Sequence, residues 1–333
     1  MKNELKASLS KTKTLLILTV LCTLTALVSC VAGEIVLPVI IGLLSCIYLF
    51  DSDKNKYFSI VISGVLLAIN VFSVIMGFYV SFISLSAIVV SYLISNAFAK
   101  GHNKAETAYL ATVICAVLSL AGSVFLAMRV SGSYTFEASL NYYSRIFEEL
   151  KQMTIDGMAE LSSIYASQGI PLPEMDVSVV FEILRMSLIS YIFISSFVSV
   201  GLGMKIFGAF TGKLASEKYH ILKWRFMPSR SYAYVYVIIS IIWVFISTLD
   251  NAFAVSVMNL YNIFSIIFLY VGFVSLYNGF KLKMNPITAL FLLSLGTLML
   301  SSLGVQILSI IGVVTVLRNS VISNVQTPPS NQE

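Results

Sequence analysis

Apolar runs approaching ~20 residues recur along nearly the whole chain, separated by short polar punctuation. At about 1.5 Å of rise per residue, one such run reaches across the roughly 30 Å hydrocarbon core of a bilayer. The pattern predicts spans at about 14–32, 35–50, 57–75, 77–98, 107–129, 181–204, 232–249, 254–280, 286–301 and 303–317. Three long runs must be divided to reach this count: 14–50 near Gly33-Glu34, 57–98 near Met76-Gly77, and 285–317 near Ser301 to Gly304. In the last case one long helix is the alternative to a hairpin. The expected fold class is all-α, a polytopic transmembrane helix bundle of about ten spans, since barrel strands need only ~10 alternating residues.

One stretch breaks the apolar pattern. Between 131 and 177 the residues Phe136, Leu140, Tyr143, Phe147, Leu150, Thr154, Met158, Leu161 and Tyr165 recur every three or four positions, as one stripe on a helix does. An amphipathic helix or hairpin is predicted there, ending at Gly169-Ile170-Pro171-Leu172-Pro173, where two prolines stop a helix. Such a segment either packs on the bundle or outer leaflet, or forms a lid over an external cavity. The domain organisation is thus an N-terminal membrane half (1–130), the amphipathic segment (131–177), a C-terminal membrane half (178–318) and a short polar tail (319–333) expected to be a disordered cytoplasmic end. Gly101 suits a helix C-cap, and Asn103 with Glu106 makes a capping box for the span that follows.

Charge orients this layout. Hydrophobic residues make up 58% of the chain and charged residues 11%, far from the roughly 25% charged norm of soluble domains. Lysine and arginine collect on alternate loops: Lys2 to Lys13, Lys54 and Lys56, Lys100 and Lys104, the loop 205–230, Lys281 and Lys283, and Arg318. The opposite loops are tight turns, Asp250, and the segment 131–177 with its acidic residues Glu137, Glu148, Glu149, Asp156, Glu160, Glu174 and Asp176. The positive-inside rule then predicts a bacterial inner or plasma membrane protein with both termini cytoplasmic and an extracytoplasmic amphipathic segment. A net charge of +5 does not point to nucleic acid, because the cations lie between apolar spans and not on one polar face.

The candidate chemistry is sparse. Cys22, Cys30, Cys46 and Cys115 fall inside apolar runs without CxxC spacing or a nearby histidine, so neither a disulfide nor a zinc site is expected. No HExxH, GxSxG, P-loop or dinucleotide fingerprint occurs; no catalytic residue and no cofactor is predicted, and an enzyme is not the expected class. Glu182 and Arg185, one turn apart at the outer edge of a span, read either as a structural pair or as a ligand-facing pair in a solute pocket; if that span begins at Met186, both lie at the interface. Asn259 and Asn262, with Tyr261 between them, are the candidate polar wall of a solute pocket, while Asn70, Asn96 and Gln306 read as buried amides bonding neighbouring helices. Cys22, Ala26 and Cys30 form a small-residue face for close helix docking, within the bundle or with a partner. Lys218, Lys223, Trp224, Arg225 and Arg230 interleave cations with an aromatic ring, which fits anionic lipid or a cytoplasmic protein. Leu27-Val28-Ser29-Cys30 has the look of a lipoprotein signal, but another apolar run follows directly where a polar tether belongs.

From Trp224-Arg225-Phe226-Met227-Pro228 onward the chain resembles the YybS-like family of polytopic membrane proteins, a family without an assigned function. Val271-Gly272-Phe273-Val274-Ser275, the closing Ile310-Ile311-Gly312 to Arg318, and Pro173 before the sixth span also carry the resemblance. Where family members often have an acidic residue after the final glycine, this chain has Val313, Val314 and Thr315. The family is similar in its first half to the substrate-binding subunits of energy-coupling-factor transporters. That likeness implies a small molecule bound under the outer segment, and a coupling partner docked on the face around Ala26. The resulting expectation is a protein that binds or helps to transport a small solute; the alternative is a scaffold recruiting cytoplasmic partners through loop 205–230.

Overall fold

A computed structural model describes residues 2–51, 56–76, 82–167, 176–214, 227–249 and 251–325. The elements are α1 (Lys2–Ala32), a 3-10 turn (Gly33–Val36), α2 (Leu37–Phe50), α3 (Tyr57–Met76), α4 (Ile83–Ala99), α5 (Lys104–Ser131), α6 (Phe136–Ser167), α7 (Val177–Met186), α8 (Leu188–Leu214), α9 (Arg230–Ile246), α10 (Ala252–Lys281) and α11 (Pro286–Val325). Among the described residues there is no strand. Among the described residues, five stretches are long and apolar enough to cross a membrane: Thr12–Ser29, Gly33–Phe50, Lys104–Ser131, Leu188–Thr211 and Ala252–Lys281. Large apolar side chains such as Phe245 (78% exposed) and Met299 (79%) lie on the outside of the fold, where water would penalise them and lipid would not.

Local chemistry sets the helix limits. Gly33 has a φ of +62°, a conformation open to glycine at no steric cost, and it divides the first long apolar run where expected. Gly101 (φ +72°) closes α4 with the paired bonds Gly101 N–H to Phe98 O (3.1 Å) and His102 N–H to Ala97 O (2.9 Å), while the Asn103 Oδ1 caps α5 by accepting from Ala105 N–H at 2.8 Å. Asp51 ends α2 and its carboxylate accepts from Ser59 N–H at 2.7 Å, in the first turn of α3.

The chain divides into two compact units, residues 1–102 with 107–222, and residues 103–106 with 223–333. In the first unit α2 is the hub, with Ile40, Ile41, Leu44 and Ile47 fully buried. It runs parallel to α8: a Cβ on Gly203 would strike Ile41, one on Gly42 would strike Ile206, and further along Cys46 Sγ–H donates to Phe207 O at 3.9 Å. Ser91 on α4 donates to Ile41 O at 3.0 Å. Outside this core α6 docks on α5 through the Tyr143 hydroxyl, which donates to Ser123 O at 2.8 Å.

In the second unit a core of Ala233, Tyr236, Phe264, Phe268, Val271, Val313 and Val316 joins α9, α10 and α11. Helices α10 and α11 touch backbone to backbone. A Cβ on Gly272 would collide with Leu308 O, and one on Gly312 with Phe268 O. The stretches Val271–Ser275 and Ile310–Arg318, which hold these two glycines, thus meet each other in space.

α11 is 40 residues long, and a straight helix of that length would measure about 60 Å. It is not straight. A Cβ on Gly304 would lie 2.8 Å from Thr297 O, seven residues earlier, whereas straight helix separates such positions by about 10 Å. Beyond the bend, Ser309 Oγ–H donates to Ser265 O and Thr315 Oγ1–H to Ser275 Oγ, each at 3.2 Å. Residues 309–315 therefore run in the same direction as 265–275, although α11 starts just after α10 ends. The helix folds back near Ser301 to Gly304, the hairpin alternative.

Two expectations are corrected. The span read from 181 is two helices: α7 ends at Met186, where Ser187 N–H caps it on Ile183 O at 2.9 Å, and α8 starts at Leu188, close to the alternative start at Met186. The tail read from 319 starts too early, since α11 continues to Val325; Val321, Ile322 and Val325 keep the helical spacing there.

Candidate functional site

A concavity in the second unit lies among α9, α10 and the returning half of α11. Its floor is aromatic because Tyr232, Tyr236 and Trp243 recur at intervals of four and seven residues on α9, a spacing that keeps them near one face. Opposite them α10 supplies Tyr261, Phe264 and Phe268. The rings form a ladder: Trp243 to Tyr261 (6.3 Å between centroids, 21° between planes), Tyr261 to Tyr236 (5.9 Å, 19°) and Tyr236 to Phe268 (4.9 Å, 27°). Such offset stacks fix ring orientation beyond what burial alone does.

The groove has a volume of about 570 Å³ and is lined by Tyr236, Val237, Ser240, Ile241, Trp243, Val244, Ser247, Tyr261, Gln306, Ile310, Val313 and Val314. No ionisable carboxylate, amine, guanidine or imidazole is among them. Several of the hydroxyls are engaged by protein: Tyr236 with Ser265 Oγ (3.2 Å), Ser240 with Tyr236 O (2.8 Å) and Ser247 with Val244 O (3.3 Å). The Gln306 amide and the Trp243 indole N–H make no hydrogen bond among the described residues, and both residues line the groove. Its lining holds no nucleophile–base pair, and no group of three potential metal ligands occurs among the described residues.

The residues singled out from sequence are distributed differently. Glu182 and Arg185 are exposed on the ten-residue α7, form no ion pair among the described residues and do not line the groove. Sequence offered α7 no separate start; the structure supplies one in Asp176, whose carboxylate accepts from Ser178 N–H (2.9 Å) and Val179 N–H (3.4 Å). Asn259 is buried and donates to Val255 O at 2.9 Å, Asn262 is half-buried, and neither lines the groove, whereas Tyr261 between them does. Gln306, read as a buried amide, is exposed on the groove wall. Cys22 and Ala26 are fully buried, so that part of the small-residue face packs inside its own unit and is not open to a partner; the side chain of Cys30 is outside the described residues. Lys218, Lys223, Trp224 and Arg225 also lie outside the described residues, and Arg230 is the first residue of α9.

An all-helical fold with several helices of spanning length, apolar exteriors and a lateral groove is that of a helical membrane protein. No family model matches the chain, and neither a curated protein nor a solved structure matches it.

Proposed function

We propose that the protein is a multi-pass bacterial inner-membrane protein that binds, or helps to transport, a small solute held in the aromatic groove. The groove carries this reading: an aromatic floor with two unpartnered polar groups resembles the mostly apolar pockets, fixed by a few polar groups, in which small molecules bind. In this reading the chain crosses the bilayer ten times with both termini inside. The alternation of basic and acidic loops supports it, as do the parallel pairs α2 with α8 and α10 with the end of α11. The resemblance to YybS-like proteins and to transporter substrate-binding subunits points the same way. The sequence has no nucleotide-binding motif, so energised transport would require a partner protein.

Native mass spectrometry of gently extracted protein tests the reading. A small molecule retained at one copy per chain is expected, and its loss is expected in W243A and Y261A. Reversing Lys218, Lys223 and Arg225 to Glu should leave that molecule bound. If no molecule is retained and the charge reversals instead strip away a protein partner, the scaffold reading replaces this one.

A further inference from the structure

We infer that the groove takes the ring of a neutral, membrane-soluble amphiphile of the quinone class, meaning a planar ring with carbonyl acceptors on an apolar chain. The inference rests on the solute-binding reading and narrows it.

Charge is the first argument. The lining has no carboxylate and no cationic side chain, so a phosphate or carboxylate head would enter a low-dielectric wall with no counter-charge. Nucleotides, amino acids and lipid phosphates are poorly matched to it. Shape is the second. The ladder planes differ by only 19° to 27° between neighbours, and a flat ring extends such a stack, whereas a bare acyl chain makes no use of it.

Hydrogen bonding is the third. The Gln306 amide and the Trp243 indole offer N–H donors without a protein acceptor among the described residues, while Tyr236 is already paired with Ser265. Ring carbonyl oxygens accept from such donors. An unmet donor in an apolar setting is costly, so the match contributes to selectivity as well as affinity. Finally, Ile241, Val244 and Ile310 flank the groove and are 53%, 72% and 60% exposed, which opens it sideways and gives an alkyl or isoprenoid chain an apolar path toward lipid.

The chain has two tryptophans, Trp224 and Trp243, so W224F leaves the groove residue as sole reporter. In phosphatidylcholine nanodiscs, decylubiquinone should quench Trp243 emission saturably at one equivalent. Q306L and Y261L should each weaken binding about tenfold, with Y261F retaining it because the ring remains. Flavin mononucleotide, planar but anionic, and decanol, apolar but ringless, should neither quench saturably nor compete. Quenching that never saturates and is equal in all variants reflects partition into the bilayer and overturns the inference, as does equal competition by decanol. Saturable binding of the flavin without the quinone overturns the ligand class and leaves the solute-binding reading intact. If neither probe binds saturably and native mass spectrometry finds no co-purifying molecule, both fall.

Discussion

Asn70 shows how much of a membrane helix's polar content is structural burden. Its side chain is 7% exposed on α3, and its Oδ1 finds no partner among the described residues. A buried acceptor left unsatisfied costs about 1–3 kcal/mol, which an apolar residue of similar volume avoids. Asn70→Leu should therefore raise the thermal midpoint of the extracted protein; a lower midpoint would mean that the amide makes a bond only in the intact membrane. Tyr143 is the opposite case, a polar group that finds a partner. Its hydroxyl ties α6 to α5, and burial pushes the phenol above its ordinary value. The neutral form is thus the one the fold favours. Its contribution is complete below the usual tyrosine pKa of about 10 and is lost as pH rises through the higher folded value. Pulsed electron paramagnetic resonance between labels on α5 and α6 should show the pair loosening above that pH. In Y143F the contact should be weaker by about 1 kcal/mol at neutral pH and insensitive to alkali.

At the level of elements, the tightest contact is the mutual seat of Gly272 and Gly312, where each helix backbone occupies the space a Cβ would need. No flexible side chain can give way there, so G272A or G312A should separate α10 from α11 at a cost of about 1–3 kcal/mol or more. The expected readout is a lower unfolding midpoint and loss of any groove ligand, while G208A, with open space around it, should be silent. The helices were legible in sequence because apolar length and glycine or asparagine punctuation are local signals, as Gly33, Gly101 and Asn103 illustrate. The site was less so. Asn259 and Asn262 drew attention by polarity, yet Asn259 bonds its own helix at Val255 O, and only Tyr261 turns to the groove. Ring stacking between α9 and α10 depends on helix rotation, which periodicity bounds but does not fix. The spacing of Tyr232, Tyr236 and Trp243 was the available signal. The break at Ser187 matches the start near Met186 that Glu182 and Arg185 made an alternative, and the cap on Asp176 gives α7 its own beginning.

For the whole molecule the decisive question is how many times the chain changes sides, and α11 is where the answer turns. A single 40-residue crossing would carry Arg318 to the face opposite Lys283, whereas a helix folded back near Ser301 returns Arg318 to the same face. The second arrangement keeps both cations where the positive-inside rule wants them and fits the parallel register of Ser309 and Thr315 against Ser265 and Ser275. Single cysteines introduced after replacement of Cys22, Cys30, Cys46 and Cys115 test it directly. In intact cells an impermeant maleimide should label E148C and L303C, while K223C, K283C and R318C should react only after the membrane is opened. Labelling of R318C from outside would convert α11 into one crossing and place the groove wall that includes Gln306 on a different helix geometry. Labelling of E148C and K223C from the same side would remove the bilayer frame on which the solute-binding and quinone-class readings both depend.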